Sequence, residues 1–282
     1  MKTASVREVM SRKVQTARID EDLELAAQRM LWSGIRHLPV VQANGVVCGV
    51  LSHRDVLERM AMVADAQSLG HTSARQLVSH AMRVPAVTIS PDDPVGAAAR
   101  VMADRKLGCL PVVEDGALVG IVTTIDLLAE LGMSEAIREV TASPRVADVM
   151  TRDPATATRD EPLARAIERM LELGVRHLPV VDANLHVVGI VSDRDVRTAI
   201  GDPCFHGDDP RSETRDVGQI MTLSPFLLHP EEPITKAVGR LVDERVGALP
   251  VVDAKGRLVG IVSYLDVLRF LRGSRIWGEA RT

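Results

Sequence analysis

The chain has 282 residues, of which 46% are hydrophobic and 2% aromatic, and its formal net charge is −4. This length suits about two soluble domains, and the mildly acidic balance excludes binding to nucleic acid or to an anionic membrane through overall charge. No segment approaches roughly 18 uninterrupted apolar residues and charges lie within the first ten positions, so we expect a cytoplasmic protein with neither a membrane span nor a signal peptide.

One segment recurs four times along the chain. Methionines at positions 10, 82, 150 and 221 are each followed, 29 residues later, by the proline of a Leu-Pro-Val pattern. A glycine, two branched apolar residues and a Ser/Thr-x-x-Asp motif come next in every copy. Fixed spacing over four copies indicates a repeat architecture. We place the repeats at residues 1–66, 75–134, 141–202 and 214–273.

Within each repeat the periodicity changes between that of a strand and that of a helix. Short strand-like segments follow the methionine, at residues 14–16, 86–89, 155–157 and 226–228. Helical spacing comes next; acid-proline pairs favour helix starts in repeats 2 to 4, and Gly34 and Gly174 favour helix ends in repeats 1 and 3. Two valine-rich runs follow, joined by Asn-Gly, Asp-Gly or Lys-Gly, except that Asn184-Leu185 predicts a different turn in repeat 3. A last helix begins at the Ser/Thr.

The four units are expected to be paired. Repeats 1 and 3 are most alike, and so are repeats 2 and 4, which indicates that a two-repeat module was duplicated. A unit of about 60 residues buries a limited core of its own, so two sheets with apolar faces should pack together. We therefore predict an α/β (α+β) fold of four β-α-β-β-α repeats, paired 1 with 2 and 3 with 4.

The Ser/Thr-x-x-Asp motif has two interpretations. A hydroxyl at a helix N-cap with an acid three residues later is a capping box, which contributes around 1 kcal/mol without any ligand. The same carboxylate can also accept hydrogen bonds from the two hydroxyls of a ribose, while the helix N-terminus favours a phosphate. The pairs are Ser52 with Asp55, Thr123 with Asp126, Ser192 with Asp195, and Ser263 with Asp266.

The ordered set of methionine, Leu-Pro-Val, glycine and Ser/Thr-x-x-Asp resembles the cystathionine beta-synthase (CBS) domain family, and four copies resemble two Bateman modules. The resemblance implies clefts between paired repeats that bind adenosine derivatives such as AMP, ADP and ATP. Carried over by position, the four aspartates would hold ribose hydroxyls and the four Ser/Thr residues would touch phosphate. The strand-like segments would line the adenine, through Val14, Thr16, Val87, Ala155, Thr156 and Leu227.

Basic residues distinguish the repeats. Repeats 1 and 3 carry Arg36-His37 and Arg176-His177 before Leu-Pro, and Arg54 and Arg194 before the motif aspartate, where repeats 2 and 4 have uncharged residues. This asymmetry is similar to that of the gamma subunit of AMP-activated protein kinase, which implies that these arginines and histidines contact nucleotide phosphates. Solvated arginines and partly buried histidines are the alternative interpretation. We expect one or two nucleotides per module.

No catalytic motif accompanies the repeats, which take up nearly the whole chain, so we predict that the protein is not an enzyme. The leading hypothesis is a regulatory sensor of AMP, ADP or ATP that signals to an unidentified protein partner through a change in repeat packing. Alternatives are a ligand-free scaffold, and a binder of S-adenosylmethionine or NAD. We expect a disc-like assembly, within the chain or as a homodimer, and no required cofactor, with Mg²⁺ accompanying any bound ATP.

A metal site is not expected. Cys204, His206, Asp208 and Asp209 lie close together in the chain, but their spacing fits no tetrahedral site and a loop composition explains them. The three cysteines form no Cys-x-x-Cys pair and are interpreted as reduced thiols.

Overall fold

Repeats 1 and 2 share one construction. The computed structural model describes residues 4–68, 75–133, 144–200 and 215–272. Repeat 1 contains α1 (Val6–Val9), β1 (Ala17–Arg18), α2 (Leu23–Trp32), β2 (His37–Val41), β3 (Val47–Ser52) and α3 (His53–Ser68). Repeat 2 contains a 3-10 turn (Val78–His80), α4 (Val95–Arg105), β4 (Cys109–Glu114), β5 (Ala117–Thr123) and α5 (Thr124–Met133).

Repeats 3 and 4 repeat this order, and the predicted mixed fold of helices and small sheets is confirmed. Repeat 3 contains a 3-10 turn (Val146–Asp148), β6 (Thr151–Arg152), α6 (Leu163–Leu173), β7 (His177–Val181), β8 (Val187–Ser192) and α7 (Asp193–Ile200). Repeat 4 contains a 3-10 turn (Val217–Gln219), β9 (Thr222–Leu223), α8 (Ile234–Asp243), β10 (Ala248–Val252), β11 (Leu258–Ser263) and α9 (Tyr264–Arg272).

Local chemistry sets the hairpin turns and the helix ends. The turn glycine of the hairpins in repeats 1, 2 and 4 has φ between 78° and 81°, which glycine adopts without a steric penalty. Repeat 3 lacks that glycine, and Leu185 takes up the positive φ of 65° instead. Helices α4, α6 and α8 begin directly after a proline at the N-cap. Gly34 and Gly174 lie just beyond the ends of α2 and α6 with positive φ, as predicted.

The short strand after each methionine is smaller than predicted. In repeat 1 it begins at Ala17, one residue beyond the predicted residues 14–16. In the other repeats only one residue of the segment, Ile89, Ala157 or Leu228, forms a parallel bridge to the Leu-Pro-Val strand of its own repeat. All four paired residues lie seven positions after the methionine, so the spacing is regular even though the strands are very short.

Each segment that follows a methionine also pairs with the sheet of the neighbouring repeat. Ser11 bridges Ile121 of repeat 2, and Arg83 bridges Val50 of repeat 1. In the same way β6 pairs with β11 and β9 pairs with β8. A Cβ on Gly120 would lie 2.5 Å from the sulfur of Met10, and the matching glycines of the other repeats face methionine sulfurs at 2.6–3.0 Å. The recurring methionine therefore packs on the recurring glycine of the neighbouring repeat, which joins repeats 1 and 2 as module 1 and repeats 3 and 4 as module 2.

The two modules pack against each other within one chain. A continuous apolar core joins repeats 2 and 4, where α4 contacts α9 and α5 contacts α8. On the other side α3 contacts α7, and Leu57 of repeat 1 lies in the core of repeat 3. The buried Arg197 donates a hydrogen bond of 2.9 Å to the carbonyl oxygen of Ala27. The four repeats thus form a closed ring in the order 1, 2, 4, 3. Within the described ranges, no helix combines the length and the apolar character that crossing a bilayer requires.

Candidate ligand-binding site

Four candidate binding positions, called clefts below, lie where a segment that follows a methionine crosses from one repeat to its neighbour. Each crossing segment runs beside the end of a strand that leads directly into the Ser/Thr-x-x-Asp motif of the neighbouring repeat. The motif aspartate of one repeat and the crossing segment of its partner therefore border the same cleft. Asp266, whose Oδ1 lies 3.5 Å from the hydroxyl of Thr151 in the crossing segment, shows this juxtaposition directly.

The four motif aspartates share one capping geometry. In each, Oδ2 accepts the backbone N–H of the Ser/Thr at 2.8 Å and its hydroxyl at 2.5–2.7 Å. The capping interpretation therefore holds for Oδ2. In Asp126 and Asp195 the second oxygen accepts no hydrogen bond from the described residues, which leaves it able to receive a hydroxyl. Capping and ligand binding use different oxygens of the same carboxylate.

The other two aspartates have neighbours at the second oxygen. Oδ1 of Asp266 lies 3.5 Å from the Thr151 hydroxyl and 3.7 Å from a guanidinium nitrogen of Arg269, both long contacts. Oδ1 of Asp55 accepts a much shorter hydrogen bond, 2.6 Å, from Nε of Arg83. Asp55 is also the most buried, with a side chain 3% exposed against 12% for Asp266. The four carboxylates are therefore not equivalent.

The residues predicted to line an adenine keep part of their surface exposed. Five of them are half-buried, namely Val14, Thr16, Val87, Ala155 and Thr156. Leu227 is 41% exposed in its crossing segment. Apolar surface that stays accessible beside a polar helix terminus suits a ligand with a flat apolar end. Their role as the adenine wall stays a prediction.

Two arginines from different modules meet at the centre of the ring. Nη1 of Arg176 lies 3.2 Å from the hydroxyl oxygen of Tyr264, and Cζ of Arg36 lies 5.8 Å from the centroid of the Tyr264 aromatic ring. A Cβ on Gly108 would lie 3.3 Å from Nη1 of Arg176. Arg36, Gly108, Arg176 and Tyr264 come from repeats 1, 2, 3 and 4 respectively, so all four repeats contribute to this centre.

The two predicted histidines pack on glycines of the partner repeat. A Cβ on Gly108 would lie 2.7 Å from the ring of His37, and one on Gly247 would lie 2.5 Å from Cε1 of His177. Glycine in repeats 2 and 4 thus accompanies histidine in repeats 1 and 3 for a steric reason. Burial, with nearby arginines, lowers the pKa of His37 to about 3. Burial likewise lowers the pKa of His177 to about 4, against the opposing effect of Asp193.

Sequence reasoning missed the residue that directly follows each motif Ser/Thr. This position is buried in all four repeats and is occupied by His53, Thr124, Asp193 and Tyr264. Burial, with Arg197 nearby, lowers the pKa of His53 to about 2. Tyr264 is the only tyrosine of the chain and directly follows a motif serine. A single aromatic residue at a helix start is unusual enough that it could have indicated a functional position.

The two predicted motif arginines, Arg54 and Arg194, differ in their surroundings. Nε of Arg54 forms an ion pair of 2.7 Å with Glu58, and its Nη2 donates to the carbonyl oxygen of Leu171 in repeat 3 at 3.0 Å. Arg194 is exposed. The motif hydroxyls of Ser52, Thr123, Ser192 and Ser263 all donate to their aspartates and keep lone pairs rather than protons for a ligand. Their predicted phosphate contacts stay predictions.

Metal binding has no support among the described residues, where no three His, Cys, Asp or Glu side chains are grouped to hold an ion. The segment with Cys204, His206, Asp208 and Asp209 lies outside those residues.

The profile of one protein family, described as "CBS domain", matches residues 6–62, 78–132, 146–202 and 217–273. The chain belongs to the CBS domain family. Its four CBS domains coincide with the four repeats seen in the fold, and the resemblance drawn from the motifs is confirmed.

Two archaeal proteins are similar to this chain over most of its length. Protein MJ1225 of Methanocaldococcus jannaschii is 28% identical over 199 residues, which is 68% of each chain. The crystal structure of MJ1225, described as that of a proposed archaeal homologue of the AMPK gamma subunit, has a TM-score of 0.83 at 23% identity and covers 95% of this chain. A conserved protein of Pyrococcus horikoshii gives a TM-score of 0.65 at 20% identity, also over 95% of the chain. These two structures support the fold.

Part of an enzyme is also similar to part of this chain. The homoserine O-acetyltransferase of Methanococcoides burtonii is 36% identical over 126 residues, which cover 45% of this chain and 24% of the enzyme. The chain thus spans about a quarter of that relative.

Proposed function

We propose that the chain is a regulatory sensor of adenine nucleotides, without a catalytic domain of its own. The observation that carries the proposal is the meeting of Arg36 and Arg176 at the centre of the ring. Both side chains are half-buried, and neither forms an ion pair within 4 Å with any carboxylate of the described residues. Removing a cation from water without a paired anion costs free energy, so such a pair of arginines favours an anionic ligand.

Charge and shape together favour a nucleotide over a simple anion. In this proposal half-buried apolar residues such as Val87 and Ala155 supply the walls of the clefts, and the open carboxylate oxygens of Asp126 and Asp195 accept hydroxyl groups. A ligand that uses all three features has a flat base, a sugar diol and a phosphate tail. AMP, ADP and ATP meet that description, and Mg²⁺ would accompany ATP. S-adenosylmethionine and NAD share the adenosine part and form the alternative ligand class.

Signalling would act through the contacts between modules. The central arginines come from repeats 1 and 3, whose direct contacts include Arg54 with Leu171 and Arg197 with Ala27. A phosphate that binds both arginines would pull them together and so favour one arrangement of these contacts over another. A ligand shifts a conformational equilibrium only when its affinities for the two states differ. The altered surface would then be read by a protein partner.

Ligand-dependent thermal unfolding tests the proposal. AMP, ADP and ATP, the last with and without Mg²⁺, are compared with S-adenosylmethionine, NAD, adenosine and inorganic phosphate. A ligand at 100 times its Kd stabilises the folded state by about 2.7 kcal/mol. A flat response to every ligand would favour the scaffold alternative, in which the aspartates serve only as helix caps.

Matched substitutions then locate the site. Asp195→Asn keeps a capping side chain but weakens the charge-assisted bonds to a ribose, so we expect Kd to rise at least ten-fold, since each such bond is worth about 1.5–3 kcal/mol. Arg176→Gln removes one central cation and should raise Kd for ATP more than for adenosine. Arg165→Gln, which alters an exposed arginine of α6 in the same repeat, is the control. Equal affinities for all three variants would contradict the site assignment.

A further inference from the structure

The residue that directly follows the recurring methionine differs in one repeat. Repeats 1, 3 and 4 have a small hydroxyl residue there, Ser11, Thr151 and Thr222, whereas repeat 2 has Arg83. Because the crossing segments exchange between repeats, Arg83 borders the cleft of repeat 1, beside Val50. The cleft at Asp55 is therefore the one of the four that contains an arginine at this position.

Arg83 forms a hydrogen bond to the carboxylate oxygen of Asp55 that a ribose hydroxyl would need. Its Nε donates to Oδ1 of Asp55 at 2.6 Å, while Oδ2 accepts the N–H and the hydroxyl of Ser52 at 2.8 and 2.5 Å. Both oxygens of Asp55 thus have donors. In Asp126 and Asp195, by contrast, Oδ1 accepts no hydrogen bond from the described residues.

The arginine is also held from its other side. Nη2 of Arg83 lies 3.6 Å from Glu58, whose other oxygen is bound by Nε of Arg54 at 2.7 Å. Nη2 of Arg54 in turn donates to the carbonyl oxygen of Leu171 in repeat 3. A ribose hydroxyl could reach Oδ1 of Asp55 only by displacing the ion pair with Arg83, and this would disturb the chain of contacts to module 2.

We propose that Arg83 closes the cleft of repeat 1 to nucleosides, and so determines how many ligands the ring binds. The inference rests on the proposed function, because it assigns one cleft of the same set as blocked. Arg83 is a specificity-determining residue in this scheme: it substitutes for the sugar at Asp55, while the hydroxyl residues at the same position leave the other clefts open.

Binding stoichiometry with AMP tests the inference by isothermal titration calorimetry and equilibrium dialysis of the full chain. Arg83→Thr copies the residue of repeats 3 and 4, and since the Arg83 side chain is 63% exposed the variant should fold. We expect it to bind one more equivalent of AMP than the parent chain. Adding Asp55→Asn to this variant should remove that equivalent again. Arg12→Thr, which removes an exposed cation from the crossing segment of repeat 1, should leave the stoichiometry unchanged.

The outcomes separate a failure of the Arg83 closure from a failure of the sensor function. Equal stoichiometry for the parent chain and Arg83→Thr overturns the closure of this cleft and leaves the sensor function standing. A loss of one equivalent, or weaker binding at the existing sites, overturns it too, because Arg83 would then be a ligand contact. If neither AMP, ADP nor ATP binds to any variant, the sensor function fails and this inference fails with it.

Discussion

The packing of His177 on Gly247 provides a quantitative test of how the repeats are joined. Gly247 has a φ that any residue can adopt, so Gly247→Ala adds a methyl group without backbone strain. That Cβ would lie 2.5 Å from Cε1 of His177 and 3.5 Å from Cε1 of Tyr264. Since Cβ contacts below 3.0 Å are essentially never seen, the buried ring must move. Overpacking of this kind destabilises a protein by about 1–3 kcal/mol.

The assay is thermal unfolding of four chains: the parent, Gly247→Ala, His177→Ala and the double variant. In a chain of this size about 1 kcal/mol shifts Tm by 2–4 °C, so Gly247→Ala should lower Tm by roughly 2–12 °C. In the His177→Ala background the new methyl group no longer overlaps the imidazole and keeps only an ordinary contact with Tyr264, so its effect should fall to within about 0.5 kcal/mol of zero.

A second glycine serves as the control. Gly239 lies inside α8, where a Cβ would meet only Oδ2 of Asp243 at 3.9 Å. Gly239→Ala should therefore stabilise the chain by about 0.5–1 kcal/mol, through the lower entropy of the unfolded state. If Gly247→Ala lowers Tm equally with and without His177, the steric account of the alternating glycines and histidines is refuted.

Three further predictions concern charge. Folding lowers the pKa values of His37 and His177 to about 3 and about 4, so the unfolded chain binds more protons than the folded chain below pH 6.5. The contribution of these histidines to stability should therefore be complete above that pH. Toward pH 4 the stability should fall by up to about 1.4 kcal/mol per pH unit for each histidine. Urea midpoints at pH 7.5 and 5.0 measure this, and a slope that His37→Gln leaves unchanged would contradict it. A phosphate beside His177 would raise that pKa, so AMP binding at pH 6 should take up protons, seen as a dependence of the binding enthalpy on the buffer; no uptake would place the phosphate elsewhere. Arg197→Met should cost about 1.5–3 kcal/mol by removing the buried bond to Ala27, with the exposed Arg194→Met as the control; equal losses would show that this bond contributes nothing to joining the modules.

Features that depend on local chemistry were predictable from the sequence. The turn glycines, the prolines before α4, α6 and α8, and Gly174 after α6 act within a few residues of themselves, so their roles could be read in isolation. The same holds for the capping of each final helix by a Ser/Thr-x-x-Asp motif. Four copies of these signals were enough to predict the repeats and the mixed fold.

Features that depend on which repeats become neighbours were not predictable in this way. The exchange of crossing segments places Arg83 on Asp55, 28 positions earlier in the chain, and only the fold reveals that partner. Tyr264 reaches the two arginines for the same reason, because repeats 1, 3 and 4 meet there. Arg54, by contrast, has its ion-pair partner Glu58 one helical turn later, and its predicted contact with phosphate stays a prediction.

The exchange of edge strands between neighbours also limits how such a chain can be divided or inherited. A repeat cut out by itself would keep a methionine with no glycine to cover and would expose a sheet edge that its neighbour once completed. The smallest piece that can be copied, transplanted or expressed intact is therefore a two-repeat module. Ancestral duplication of a whole module accounts for the likeness of repeat 1 to repeat 3 and of repeat 2 to repeat 4. Within a module, a change in the size of the methionine side chain on one repeat requires a compensating change at the glycine of its neighbour.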